Sequence, residues 1–341
     1  MSTGSPNIFH FATSELSQDA FLCWLLSWSQ SKFSAATPEL WEAGTAFIHA
    51  IYAACQQTPP EAIEAIEVRR QEMNIDIVAV VNERDVIAVE DKAHIREHSD
   101  QLARYLDGLR EKYPGQRVLP VYVQTGDQSS YTGVKEAGFA PLLRPKLIEV
   151  LAGTDRSPVP DSTCRQFLQH LHEVEQAVQA FRYAAPAVWD SAAWRGFFAA
   201  LQDELGGGEW TCVPNRSGGF MGFYWHWFAP HDECEPYLQL EEKTLCFKIA
   251  VPSQERRAAH KFAWHERIVE AGRQFGLPVG RPTRLRNGHW MTVAVWQHDY
   301  RAVDSEGRLD WPGTLATLMK AEAVLDKSVE EIRQSRTSPC T

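Results

Sequence analysis

Apolar residues recur at helical spacing in two stretches near the start of the chain. Phe21, Leu22, Leu25 and Leu26 predict a helix from Ser14 or Ser17 to about Ser31, and Leu40, Ala43, Phe47, Ile51 and Ala54 predict a second over residues 38–54. The period then shortens to that of strands. A strand is expected over residues 66–71, and two β-branched runs, 75–81 and 86–89, flank the polar tetrad Asn82-Glu83-Arg84-Asp85 in the pattern of an antiparallel hairpin. A helix over about 99–113 and the apolar run V-L-P-V-Y-V-Q-T at 118–125 complete the order α, β, β, β, α, β.

The pattern changes after Leu151. The turn-rich G-T-D-R-S-P-V-P-D at 153–161 is followed by a helix expected over 163–183, and Pro186 opens a region holding nine of the twelve Trp residues. A helix over 192–205 stops at Gly206-Gly207-Gly208, because glycine readily takes the left-handed conformation that ends helices. Strands are expected at 220–228, at 237–251 as a hairpin over Glu241-Glu242-Lys243, and at 290–297, with a basic helix over 254–275 and a C-terminal helix. The division expected is 1–152, a connecting segment 153–185, and a smaller antiparallel α+β domain at 186–341.

Three charges interrupt the otherwise apolar hairpin: Asp76, Glu90 and Lys92. Side chains alternate along a strand, so Glu90 and Lys92 share a face, and a turn centred on Glu83-Arg84 puts Asp76 opposite them to within about one residue. Each alone reads as a solvated acid or a weak same-face ion pair. Together, bracketed by Ile75, Ile77, Ile87 and Val89, they are costly unless paired or bound to metal. Two close carboxylates suit a hard divalent cation such as magnesium.

I-D-I, V-E-D-K fourteen residues from Asp76 to Glu90, and a helix bearing Q-L-A-R-Y together resemble the PD-(D/E)XK nuclease superfamily over residues 7–150. The resemblance implies a restriction-endonuclease-like α/β fold with an αβββαβ core and a mixed central sheet. It implies Asp76 and Glu90 as ligands of Mg2+ or Mn2+, Lys92 beside the attacking water, and Gln101 and Tyr105 flanking the site on their helix. Glu15 matches a further acid on the first helix, and Asp91 would offer its backbone carbonyl to metal. Products with a 5′-phosphate and a role against foreign DNA are implied in the same way. The partners expected are nucleic acid, DNA before RNA, and a second copy of the chain, with no membrane.

On residues alone, Glu15 is also a favourable acid at a helix N-terminus, and Gln101 and Tyr105, an i, i+4 pair beside Arg104, are also a solvated face.

Composition narrows the class. Apolar residues make up 44% and charged residues 23% of 341, as in a folded soluble enzyme of two domains. The N-terminal M-S-T-G-S-P-N has neither a basic segment nor an apolar core, which excludes a signal peptide there and predicts the cytoplasm. Seven scattered cysteines without C-x-x-C point to reduced thiols. The net charge of −10 is unfavourable for phosphate contact, yet 253–290 holds eight Lys or Arg against three acids. Arg256, Arg257 and Lys261 there, with Arg104, are the residues expected to meet nucleic acid, helped by Phe262, Trp264 and Trp290. The competing reading makes those aromatics core and the cations a solvated face. His226, His231, His260 and His265 are dispersed and read as structural. No phosphate-binding G-x-x-x-x-G-K-[ST] loop and no G-x-S-x-G elbow occur, which argues against a nucleotide motor and a serine hydrolase. Two functions follow: a metal-dependent nuclease, or a binding or sensing protein that keeps the nuclease fold without turnover.

Overall fold

A computed structural model describes residues 6–93, 99–153, 161–214, 219–230, 233–283 and 287–337. The chain forms two compact units of nearly equal length, 1–176 and 177–341. The division falls inside a helix, and most of the turn-rich break at 153–161 lies outside the described residues.

The first unit begins with α1 (Glu15–Ser27) and α2 (Pro38–Ala54). Pro38 occupies the first turn of α2, where its missing N–H is no loss. The helices touch backbone to backbone at Gly44, where an added Cβ would lie 2.6 Å from the Leu25 carbonyl oxygen. The strands are β1 (Ile66–Glu72), β2 (Ile75–Val81), β3 (Asp85–Lys92), β4 (Arg117–Gln124) and β5 (Ala140–Leu143), in sheet order β1-β2-β3-β4-β5. The first two pairings are antiparallel and the last two parallel, so the sheet is mixed as expected. Helices α3 (Ser99–Lys112), α4 (Thr132–Glu136), α5 (Arg144–Ala152) and α6 (Ser162–Gln179) complete the unit.

Period-2 alternation divides the sheet residues between two cores. Ile77, Ala79, Val81, Ile87 and Val89 pack with α1, α2, α5 and α6, whereas Val78, Val86, Ala88 and Tyr122 pack with α3 and α4. β3, buried along its whole length, is the centre of this α/β/α sandwich. The hairpin turn uses Asn82 and Glu83 at φ 50° and 54°, a left-handed conformation that Asn tolerates well. The Asn82 Oδ1 accepts from the N–H groups of Glu64 and Ala65, and its Nδ2 donates to the Ala62 carbonyl at 2.8 Å, fixing the turn to the preceding loop.

The second unit holds α7 (Ser191–Glu204), β6 (Glu209–Val213), β7 (Phe220–Trp225), β8 (Glu235–Glu241), β9 (Thr244–Ala250), α8 (Arg257–Gln274), β10 (Val279–Gly280), β11 (Trp290–Trp296) and α9 (Trp311–Thr337). Its antiparallel sheet runs β10-β11-β9-β8-β7-β6, with the three helices packed on one face through Phe197, Phe198, Trp264, Ile268, Leu318 and Leu325. Among the described residues no helix is long and apolar enough to cross a membrane.

Candidate active site

The hairpin register pairs Ile77 with Val89, which brings Asp76 opposite Glu90 on the α3 face of the sheet. The Lys92 ammonium lies among three acids: Nζ is 3.0 Å from Glu90 Oε1, 3.5 Å from Asp76 Oδ2 and 3.7 Å from Glu15 Oε2. Asp76 Oδ2 also accepts the Asp91 N–H at 2.9 Å, and Glu15 Oε1 accepts the Ala93 N–H at 3.2 Å. Glu15 reaches this point because it opens α1, whose apolar stripe of Phe21, Leu22, Leu25 and Leu26 seats the helix on the sheet.

Among the described residues three carboxylates gather around the Lys92 ammonium. Burial would lower the Lys92 pKa, but the Glu90 and Asp76 carboxylates outweigh it and hold the group well above the usual lysine range. In this arrangement Lys92 is held as a cation by its acidic neighbours. Its chemistry is to donate hydrogen bonds and offset negative charge.

The Asp91 carboxyl points to the opposite face, beneath α1. Gln18 donates an amide N–H to Asp91 Oδ1, and the Thr125 hydroxyl donates to Gln18 Oε1 at 2.9 Å. The Thr125 carbonyl in turn accepts from buried Arg144 at 2.6 Å. Asp91 Oδ2 and Asp19 Oδ1 are buried without a hydrogen-bond donor among the described residues, and the two carboxyls face one another. A proton shared between them would satisfy both. Burial, reinforced by the Asp19 and Asp76 charges, pushes Asp91 well above the carboxylate range. Burial and then the Asp76 charge raise Asp19 to about 6, against the attraction of Arg70, 3.8 Å away. The Asp91 side chain thus belongs to this second pair, and Asp91 meets the Lys92 patch through its backbone N–H.

Gln101 and Tyr105 are half-buried on α3, where Tyr105 packs against the core containing Leu102 and Leu106. Among the described residues no hydrogen bond ties either to the carboxylates, and the chain at 94–98 that leads into α3 lies outside them. Arg104 is exposed on the same helix.

Of the cations expected to meet nucleic acid on and beside α8, Lys261 turns inward, whereas Arg256 is exposed and Arg257 half-buried. Lys261 is buried, its ammonium 2.6 Å from Asn287 Oδ1 and over the Phe262 ring, because its apolar stem packs inward from the same helical face as Trp264 and Ile268. Arg257 donates to the Val251 and Pro252 carbonyls, and Arg256 pairs with Glu233 at 3.1 Å. Trp264 is core, while Phe262 and Trp290 are exposed. His265 bonds the Val293 carbonyl and His226 bonds Asp326, both at 2.8 Å; His231, Arg284 and Arg286 lie outside the described residues.

The donor set at the Lys92 patch suits a hard divalent cation, since every acidic group there offers oxygen. Among the described residues no three His, Cys, Asp or Glu side chains close into a metal cage.

Residues 6–141 match the family model of the PD-(D/E)XK nuclease superfamily. No curated protein and no solved structure matches the chain. The matched segment spans α1 through the start of β5 and contains every residue of the Lys92 patch. The match to the PD-(D/E)XK nuclease superfamily thus falls within the N-terminal unit of the chain.

Proposed function

We propose that the N-terminal unit is a Mg2+- or Mn2+-dependent phosphodiesterase that hydrolyses nucleic acid, DNA before RNA. The observation that carries this reading is the convergence of Glu15, Asp76 and Glu90 on the Lys92 ammonium at the end of the central strand. Asp76 and Glu90, with Glu15 beside them, would hold the metal, which when bound polarises a phosphoryl oxygen and lowers the pKa of its water. Lys92 takes the part of a positioned donor. Its ammonium, already desolvated and kept protonated, orients the water and offsets charge that develops on the phosphate. The Asp91 N–H holds Asp76, and the Ala93 N–H holds Glu15, so the backbone at and just past the end of β3 sets the direction of both carboxylates. Gln101, Tyr105 and exposed Arg104 on α3 are assigned to the flank, where the substrate backbone would pass.

Asp76→Asn and Glu90→Gln test the assignment with little change of shape. Each should abolish cleavage of a DNA fragment in magnesium or manganese and weaken metal binding measured by calorimetry, with the fold intact by circular dichroism. Full cleavage in either variant overturns the site. Absence of cleavage by the unaltered chain on single- and double-stranded DNA and RNA, with either metal, would leave a binding or sensing protein.

A further inference from the structure

The second unit packs its helices on one face of its sheet, and the other face carries an aromatic cavity of about 790 Å³. Residues alternate along each strand, so Tyr224 on β7, Tyr237 and Gln239 on β8, Lys248 on β9 and Trp290 on β11 all rise from the face opposite the core. Register sets Tyr224 beside Gln239 and Tyr237 beside Lys248.

The aromatic walls have a defined shape. Trp227, just past β7, stacks on Tyr237 with ring centres 3.8 Å apart and planes at 7°, and Trp290 stands edge-on to both at 6.0 Å. Tyr237 is buried, but Trp227 and Trp290 remain 47% and 53% exposed. Two half-exposed indoles at right angles, one of them backed by a tyrosine, form a corner that a flat ring can enter. Gly222 leaves room for the Tyr224 side chain, since an added Cβ would sit 2.9 Å from the Tyr224 hydroxyl oxygen.

The polar groups select what enters. Gln239 is buried and donates to Glu241 Oε1 at 2.9 Å, and Lys248 donates to the same oxygen at 3.0 Å. This fixes the Gln239 amide and leaves both donors and acceptors at one edge of the cavity. Glu209 in the lining, and Glu241 behind Lys248, make the site unfavourable for a phosphate. The ligand indicated is planar, uncharged and able both to donate and to accept along one edge.

We propose that this cavity takes a single unpaired nucleobase, stacked on Trp290 with Trp227 edge-on beside it and read at its edge by Gln239 and Lys248, while the sugar and phosphate stay outside. The proposal rests on the nucleic-acid reading of the first unit and adds a base-binding function to the second. Such a site would hold single-stranded, frayed or extruded bases and leave paired bases unbound.

The test uses the full chain in chelator, where cleavage cannot interfere. A short single-stranded DNA with one central 2-aminopurine should show fluorescence quenching on binding, as stacking demands, and an abasic residue at that position should weaken affinity. Trp290→Ala should weaken binding by about tenfold or more, the usual worth of one stacked base, and Trp290→Phe should restore most of it. Gln239→Leu should reduce discrimination among the four bases at the probe position. Both tryptophans are exposed, so unfolding is not expected, and near-ultraviolet circular dichroism checks it. Unchanged affinity in Trp227→Ala and Trp290→Ala, or unquenched 2-aminopurine at saturation, overturns the proposal. Because cleavage is scored separately on Asp76→Asn, a failed pocket leaves the nuclease assignment standing, and a failed nuclease leaves the quenching result intact.

Discussion

The two ends of β3 both bury acids, and they solve the problem in opposite ways. At its start, Asp85 receives Arg117 Nε and Nη2, each at 2.8 Å, and the Tyr52 hydroxyl at 2.7 Å. Burial would raise its pKa, but these three donors win and hold it below the usual range. One carboxylate meets one guanidinium, and nothing is left over. At its end, Glu90 gathers with Glu15 and Asp76 around the Lys92 ammonium among the described residues, and a second carboxyl pair lies behind the sheet. Charge balance marks a structural acid. A cluster of acids kept in an apolar setting marks a place prepared for something the chain does not itself supply.

Four changes sharpen or break this contrast. Lys92→Ala, at the acid-rich end, should lower cleavage by about a hundred- to a thousandfold, the worth of one preorganised donor, while calorimetry still detects metal. Loss of metal binding in that variant would place Lys92 among the groups that build the site and not among those that act on the substrate. Arg117→Ala, at the balanced end, should cost about 2–3 kcal/mol in urea unfolding, less than a fully buried pair because Arg117 is 35% exposed. Cleavage per folded molecule should be unchanged. If it falls as far as in Lys92→Ala, the two ends are not separable.

The third change tests the shared proton. Asp19 binds its proton up to about pH 6 when folded and to 3.8 in its ordinary state, so between these values the folded chain holds a proton that the unfolded chain has lost. The contribution is therefore full below that window and is lost as pH rises through it. Metal-free protein should lose about 1–3 kcal/mol over this interval by thermal or urea unfolding, and Asp91→Asn, which gives Asp19 an amide donor, should flatten the curve. An identical slope in the variant would mean that the two carboxyls do not share a proton. The smallest effect is expected for Gln101→Ala, within about 0.5 kcal/mol of the unaltered stability, because its side chain is half-exposed and bonds none of the described carboxylates. A cleavage defect without a stability change would confirm its place at the flank of the site.

Much of this was readable from the sequence because the hairpin obeys a strict period of two. Asp76, Glu90 and Lys92 were legible as one patch, since alternation and a short turn fix where they fall. Residues 38–54 form a helix over the limits their spacing predicts, because Pro38 starts it and Leu40, Phe47 and Ile51 keep the helical period. The five-residue α4, four-residue β5 and two-residue β10 were not legible, being too short to express any period. Gln18 and Asp19 could be placed on one turn with Glu15, but their meeting with Asp91 depends on how α1 crosses the sheet. Lys261 looked like part of a cationic face because a sequence shows a charge but not the direction in which its stem is packed. The stacking of Trp227 on Tyr237 joins residues ten positions apart, which no periodicity reports.

The Asn82 turn also bears on how this site can change over time. Asn82 and Glu83 take left-handed conformations, and the Asn82 amide is tied to Ala62, Glu64 and Ala65, so the number of residues in the loop is fixed at both ends. That number sets a parity. Adding or removing one residue would exchange the two faces of β3 relative to β2, sending Glu90 and Lys92 under α1 and Asp91 out toward Asp76. Substitutions within the loop are thus tolerable drift, whereas a single codon gained or lost there would dismantle the acidic patch in one step, without altering any of the residues that compose it.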